Sequence, residues 1–342
     1  MVNFHNYNFI IKKIMSTNKI INVGIIGKNF GYKVIYKAIS KYKKFKVVGF
    51  SYKNTQEKLQ FPNKIKIYLN WKKLILDKKI DAIFICTPPI YHKDIINLAL
   101  KENKHIFCEK PVTNSYYEIS KICNNLNKNL IHQVNYEFSH IKAFDYFKKK
   151  FQEKITIKDV HIKWFIKSFN REKSWKDKKS QGGGIYYNYI CHTLYYIENF
   201  FEKINLNKLK IYKKGNDLKM NFEISNKKLI IPVNFEFKIL KFDSIIRPIH
   251  QINIKSQKHE FILSSKIDNI YDQFLLKKNN KIIFKPKFTV DDFRIRPTSK
   301  NIDLFYKSIL SNKNIGPTFF DAKKIHHIIK KIASQLKTKT II

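Results

Sequence analysis

The sequence predicts an α/β protein: an N-terminal doubly wound parallel sheet, followed by an α+β domain built on an open, mainly antiparallel sheet. Three observations carry this. From Ile20 to about Asn135 short continuous apolar runs alternate with amphipathic helical stretches, the pattern of strands covered on both faces by helices. Between residues 208 and 292 the β-like runs follow one another with little helix between them. Six of the nine glycines fall in two short clusters, Gly24-Gly27-Gly31 and Gly182-Gly183-Gly184, which mark turns in a glycine-poor chain.

The elements of the first region follow in order. Strands are predicted at Ile21–Ile26, Lys46–Phe50, Ala82–Cys86, His105–Cys108 and Leu130–Val134, and helices near Tyr32–Lys41, Trp71–Lys78, Lys93–Glu102 and Ser115–Leu126. Pro88, Pro89 and Pro111 close two of the apolar runs, where a residue without an N–H ends a strand. After Ile141 a helix near Lys142–Phe151 precedes an extended run, Ile155–Phe165, and a polar loop ends in the glycine triplet. A helix should follow from about Tyr186 to Phe201, then five or six β-like segments, including Leu229–Phe237, Gln251–Ile254 and Lys281–Phe288. From Asn301 on, two helices flank the Gly316-Pro317 turn, with Asp321 near the start of the second. Residues 1–19 read as an arm before the first strand, with Met15 a candidate natural start.

Composition excludes several classes. The chain has 342 residues, 44% hydrophobic and 15% aromatic, enough apolar material for one large or two ordinary cores. Lysine or asparagine interrupts every apolar run before the roughly 18 residues that a bilayer crossing needs, and the start lacks the pattern of a secretory signal. A cytoplasmic protein is expected. Cys86, Cys108, Cys123 and Cys191 show no CxxC spacing, which speaks against a metal site and against a disulfide framework. The formal charge of +41 comes from 67 basic against 26 acidic residues, yet only four of the basic ones are arginine. Phosphate-reading surfaces favour arginine's bidentate fork, so the charge reads as a solvated lysine surface that attracts anionic ligands. Neither a specific nucleic-acid site nor a membrane partner is expected.

The first strand runs into Gly27-Lys28-Asn29-Phe30-Gly31 and then a helix. Such a turn lets backbone N–H groups and a helix N-terminus approach a pyrophosphate without a Cβ in the way. It departs from GxGxxG at Asn29, a residue type that tolerates the left-handed conformation but whose side chain can crowd phosphates. A plain strand-to-helix turn reads the same residues. After the second strand comes Ser51-Tyr52-Lys53-Asn54, with no acid until Glu57. An NAD site usually offers a carboxylate to the ribose there. Ser51 as donor and Lys53 as cation favour a 2′-phosphate, hence NADP over NAD.

Two further segments are more specific: Cys86-Thr87-Pro88-Pro89-Ile90-Tyr91-His92 and Cys108-Glu109-Lys110-Pro111-Val112, each following a buried strand. Together with the downstream Gly182-Gly183-Gly184, Asn188 and His192 they resemble the glucose-fructose oxidoreductase / inositol dehydrogenase (Gfo/Idh/MocA) family of NAD(P)-dependent oxidoreductases. The resemblance covers most of residues 20–330. It implies a Rossmann domain over 20–140, a substrate and oligomerisation domain over 141–300, and closing helices over 301–342 that pack back on the core.

What the resemblance implies for single residues is consistent with their chemistry. Lys110 stands where the family keeps its Glu-Lys-Pro lysine, near the nicotinamide, and a lysine there orients and polarises the reacting oxygen. Glu109 takes the place of a ribose or nicotinamide contact, and Thr87, Pro88 and His92 line the cofactor pocket. His192 matches the family's acid or base, since an imidazole exchanges protons near neutral pH. Asn188, one helical turn before it, occupies a position where many members have aspartate, and it can orient but not accept a proton. Ile190 stands where a glycine is common. Trp175 and Tyr187 form either a stacking wall for a sugar or part of the core.

The expected activity is hydride transfer between a nicotinamide and a carbinol or ketone carbon of a sugar, sugar nucleotide or polyol, in a homo-oligomer (dimer or tetramer). Lys110, His192 and Asn188 are the expected catalytic residues. The rival is a non-catalytic NAD(P)-binding sensor on the same fold.

Overall fold

The computed structural model describes residues 19–53, 59–61, 64–151, 154–167, 175–201, 203–215, 217–226, 229–241, 243–265, 273–287 and 292–338. The N-terminal arm before Lys19, and Glu57, lie outside the described residues. The chain divides into two compact units.

The first unit comprises residues 1–136, 178–183 and 298–324. Its six strands are β1 (Ile21–Ile26), β2 (Phe45–Ser51), β3 (Lys66–Tyr68), β4 (Ala82–Ile85), β5 (His105–Cys108) and β6 (His132–Val134), in the order β3-β2-β1-β4-β5-β6. Every neighbouring pair is parallel. All four residues of β4 are buried, as are five of the six in β1, which is why these runs are continuously apolar rather than alternating. The short edge strand β3 was absent from the sequence reading: its pattern is two exposed residues and one buried, too short for a period to show.

Helices α1 (π-helical Gly31–Tyr36 running into α-helical Lys37–Ser40), α2 (Trp71–Leu76), α3 (His92–Lys101) and α4 (Tyr116–Asn124) connect the strands. Their starts are locally encoded: the Asn70 side chain accepts from Lys72 N at 2.9 Å, and Ser115 Oγ from Glu118 N at 3.2 Å, each satisfying an otherwise orphaned amide of the first turn. Segment 298–324 joins this unit through an aromatic cluster: Phe305 lies 5.5 Å from Phe107 and 5.7 Å from Phe84, and Tyr306 lies 5.6 Å from Phe45, between ring centroids. Such edge-on contacts combine a large apolar burial with favourable quadrupole geometry.

The second unit comprises 137–177, 184–297 and 325–342. It contains α5 (Lys142–Lys150), β7 (Ile157–Lys167) and α6 (π-helical Tyr186–Ile190 running into α-helical Cys191–Phe201). Seven strands follow: β8 (Lys203–Lys214), β9 (Asp217–Asn226), β10 (Leu229–Leu240), β11 (Ile249–Ser256), β12 (Glu260–Ser265), β13 (Leu275–Lys278) and β14 (Lys281–Phe284). The sheet order is β14-β13-β12-β11-β7-β10-β9-β8. Only the β7–β10 pair is parallel, so the sheet is mixed and mainly antiparallel. The sequence reading counted fewer strands because β8 begins earlier, at Lys203, and because tight hairpins leave little between neighbours. In β10 buried Ile231, Val233, Phe235 and Phe237 alternate with residues that are not buried, the signature of a sheet with one covered face.

The last two helices are α7 (Ile295–Ser311) and α8 (Phe319–Thr338). The first begins ahead of the expected Asn301. The second opens with a reciprocal cap, in which Asp321 N donates to Thr318 Oγ1 at 3.2 Å and Thr318 N to Asp321 Oδ2 at 2.8 Å. No helix among the described residues is long and apolar enough to cross a membrane.

Candidate functional site

In the first unit the candidate residues collect at the carboxyl ends of β1, β2, β4 and β5, where open parallel sheets bind ligands. Gly27 N donates to Ser51 O at 2.9 Å and Cys86 N to Ile26 O at 2.7 Å, so three strand ends are tied together. Gly27 has φ +117°, and a Cβ there would lie 2.4 Å from Cys86 O, so only glycine fits. Tyr32 N donates to Lys28 O at 2.8 Å, which makes Lys28 the first acceptor of α1 and puts the amides of the glycine turn at the positive end of the helix. Asn29 is exposed and right-handed helical, and Phe30 has φ −67° and ψ −37°. The tolerance of asparagine for left-handed backbone is therefore not used here.

At the end of β2, Ser51 is buried and its carbonyl is the Gly27 partner. Lys53 Nζ lies 5.4 Å from the Tyr91 ring centroid, and Lys28 Nζ 5.9 Å from that of Tyr52, cations held over aromatic faces. Sequence reading missed Lys28 and Tyr91, although both sit inside motifs it had singled out.

The loop after β4 is held from beneath. His92 is fully buried, and its ring nitrogens face Thr87 O (2.8 Å) and Pro111 O (3.1 Å), with Cys108 Sγ 3.4 Å from Nδ1. A neutral imidazole donates to only one of the two carbonyls, and burial pushes its pKa down to about 4. The ring thus staples the Thr87 loop to the Glu109-Lys110-Pro111 loop. Thr87 Oγ1 is buried and has no hydrogen-bond partner.

The first member of the glycine triplet is explained here too. Gly182 has φ +84°, and a Cβ would stand 2.6 Å from Pro89 Cβ. Asn114 Nδ2 donates to Ser180 O at 3.3 Å, so segment 178–183 lies on Pro89 and Asn114.

After β5, Glu109 N donates to Ile85 O at 2.9 Å, and the buried Glu109 carboxylate accepts from Asn135 Nδ2 at 2.6 Å through Oε1. Asn135 also donates to Thr298 Oγ1 at 3.3 Å and accepts from Asn301 Nδ2 at 3.0 Å. Lys110 is half-buried beside them, and its bond to Pro111 is cis. None of Asn135, Thr298 and Asn301 was singled out from sequence.

The second unit holds the remaining candidates. Lys176 O accepts from both Asn188 Nδ2 and Gly184 N, each at 2.7 Å, so the Asn188 amide closes the loop that carries Trp175 and the glycines. The turn Tyr186–Ile190 is π-helical and places an extra residue in the circuit. His192 is 2% exposed, its ring 4.4 Å from Phe138 and 6.5 Å from Trp164. The Tyr187 ring lies 5.0 Å from His326, an aromatic packing contact, and Trp175 is half-buried. Lys110 and His192 belong to different units. Among the described residues no group of three or more His, Cys, Asp or Glu is placed to hold a metal ion.

Residues 21–136 match the Gfo/Idh/MocA family, described as an oxidoreductase family with an NAD-binding Rossmann fold. The matched stretch runs from the start of β1 to just past β6, and so spans the parallel sheet. A 2,7-anhydro-N-acetylneuraminate hydratase of Escherichia coli is 31% identical over 38% of this chain and 36% of its own length. An uncharacterised oxidoreductase of Synechocystis is 22% identical over 55% of this chain and 53% of its own length. A levoglucosan dehydrogenase of Pseudarthrobacter phenanthrenivorans is 27% identical over 33% of this chain and 31% of its own length. The chain thus spans between about a third and a half of the length of these curated relatives. The fold match is wider. A levoglucosan dehydrogenase in complex with NADH superposes with TM-score 0.75 at 16% identity, covering 92% of this chain and 96% of that one, and an oxidoreductase from Thermotoga maritima reaches 0.74, covering 92% and 95%.

NAD is therefore the cofactor class of the first unit. The residues present fit it: the Gly27 turn keeps a Cβ away, α1 opens onto that turn, and the unpartnered Thr87 hydroxyl is a buried polar atom that awaits a partner.

Proposed function

We propose that the protein is an NAD(P)(H)-dependent oxidoreductase that acts on a carbinol or ketone carbon of a sugar, sugar nucleotide or polyol. The observation that carries this reading is the placing of Glu109 and Lys110 at the end of β5, tied through Glu109 N and Ile85 O to the strand next to the Gly27 turn. The sugar-metabolising relatives named above support the substrate class.

NAD, when bound, supplies the hydride acceptor or donor. The Gly27 turn and the amino terminus of α1 bind its pyrophosphate. Glu109 orients the nicotinamide ribose. Lys110 Nζ holds and polarises the substrate oxygen. The imidazole of His192 takes up the hydroxyl proton in the oxidative direction and returns it in the reductive one. Asn188 keeps the 175–184 loop in place through Lys176 O. Lys53 and Lys28 favour the 2′-phosphate of NADP, since two ammonium groups near the end of β2 stand where an NAD-selective site would carry a carboxylate. A homo-oligomer remains part of the reading.

Titration with NADPH and NADH, followed by nicotinamide fluorescence, tests binding. A panel of sugars, polyols and sugar nucleotides followed at the reduced-nicotinamide absorbance tests turnover. A second reading, the non-catalytic sensor, is favoured by one observation: where many members have an ionisable aspartate, this chain has Asn188, its amide committed to a carbonyl. Binding without turnover, unchanged in Lys110→Ala, would decide for the sensor, and failure to bind either nucleotide would remove both readings.

A further inference from the structure

We propose that Asn135, the residue after β6, itself held by Thr298 and Asn301 of α7, is a positioning residue that aims the Glu109 carboxylate at the nicotinamide ribose. The inference rests on the cofactor reading above, in which Glu109 meets that ribose.

Glu109 is 8% exposed, and Asn135, Thr298 and Asn301 are fully buried. A carboxylate only accepts, so a buried one needs donors or its cost falls on stability. Asn135 supplies one at 2.6 Å to Oε1. Its backbone supplies a second tie: Asn135 N donates to Cys108 O at 2.9 Å, one residue before Glu109. Main chain and side chain together therefore fix Glu109 against β6, and fixing Oε1 fixes the direction of Oε2. The orientation of the Asn135 amide is itself determined. Asn301 Nδ2 donates into Asn135 Oδ1 at 3.0 Å, so Nδ2 has to face the carboxylate; the flipped amide would set acceptor against acceptor. Gln133 Nε2 donates to Asn301 O at 2.6 Å, which ties α7 to β6 a second time.

The residue type follows from the charge. Aspartate at 135 would bring two carboxylates into contact, and one would be forced to take a proton. Alanine would leave Oε1 without this donor. Only a neutral side chain with both a donor and an acceptor serves Glu109 and Asn301 at once.

The test uses the full chain and NADH. Affinity is read by nicotinamide fluorescence between about pH 6 and pH 8.5, beside the thermal midpoint of the cofactor-free protein. Titratable groups facing the pair are the Cys86 and Cys108 thiols, both pushed up by burial, together with Lys110 and, through Cys108, His92, which burial keeps neutral above about pH 4. The thiols and His92 do not titrate in that window. Asn135→Asp should weaken NADH about tenfold near pH 8 and recover toward wild type near pH 6, as the two carboxylates come to share a proton. A role in packing alone would not produce that recovery. The double variant Glu109→Gln/Asn135→Asp restores one charge and one hydrogen bond, which keeps the test alive if the single variant does not fold. Its thermal midpoint should return to wild type while NADH stays about tenfold weaker, because the carboxylate now sits on the wrong residue. Wild-type NADH affinity in either variant overturns the proposal. Failure of the wild-type chain to bind NADH overturns instead the cofactor reading on which it rests.

Discussion

The strand ends of the parallel sheet and the segment from Trp175 to His192 handle polar side chains in opposite ways. In the first, Glu109, His92 and Asn135 have hydrogen-bond partners at 2.6 to 3.1 Å that lie in the same unit. In the second, the neighbours of His192 are aromatic rings, and Asn188 spends its amide on a loop carbonyl. A pre-wired polar cluster holds a ligand's charged parts in a fixed frame. The proposed function gives binding to the first region and proton exchange to the second.

Acid should expose the contrast most strongly. Burial pushes His92 and His132 in the first unit down to about 4 and His250 in the second to about 3. Each is neutral when folded, so the unfolded chain, titrating near 6.5, takes up protons first as the pH falls. Stability present above pH 6.5 is then lost on the way down to about pH 4. At pH 5.5 each histidine should cost about 1.4 kcal/mol, roughly 4 kcal/mol for the three. Denaturant unfolding at pH 7.5 and 5.5 measures this, and His132→Gln should recover about a third of the loss; an unchanged loss would show that His132 is not buried in its neutral form.

Next in size is Lys110→Ala, which should lower turnover at least about 100-fold while NADH affinity stays within about threefold, since the side chain is assigned to the reacting oxygen rather than to the phosphates. An equal loss of binding would move Lys110 into the frame that holds the cofactor. Gly27→Ala comes third. The positive φ and the clash with Cys86 O predict a destabilisation of about 1–3 kcal/mol and NADH binding weakened at least about tenfold, whereas Asn29→Ala, on an exposed right-handed residue, should leave stability within about 0.5 kcal/mol. The smallest effect is on cofactor choice: Lys53→Glu should weaken NADPH by about tenfold more than NADH, and equal losses would discard the 2′-phosphate assignment.

Local signals made much of this readable. The helix starts at Asn70 and Ser115, the Gly27 turn and the Glu109-Lys110-Pro111 loop each lie within a few residues, and their physics is complete at that range. Strand β3 was not readable because three residues carry no period. The π-helical turn at Tyr186–Ile190 was not readable either, because helical wheels assume an α repeat. Asn135, Thr298 and Asn301 look like ordinary polar residues in the sequence; nothing in their neighbourhoods tells a buried amide from a solvated one.

What the amino-acid sequence determined alone was the alternation of strands and helices, the switch to an open sheet, and the glycines and prolines that end those strands, because backbone sterics and burial periodicity act on neighbouring residues. Tertiary structure alone decided which groups meet. Asn135 and Asn301 are 166 positions apart and Glu109 and Asn135 26 apart, and the His92 ring meets the Pro111 carbonyl 19 positions away. Hydrogen bonds between distant residues depend on where folding brings their atoms, within a few tenths of an ångström, and that distance is set by the packing of whole strands and helices.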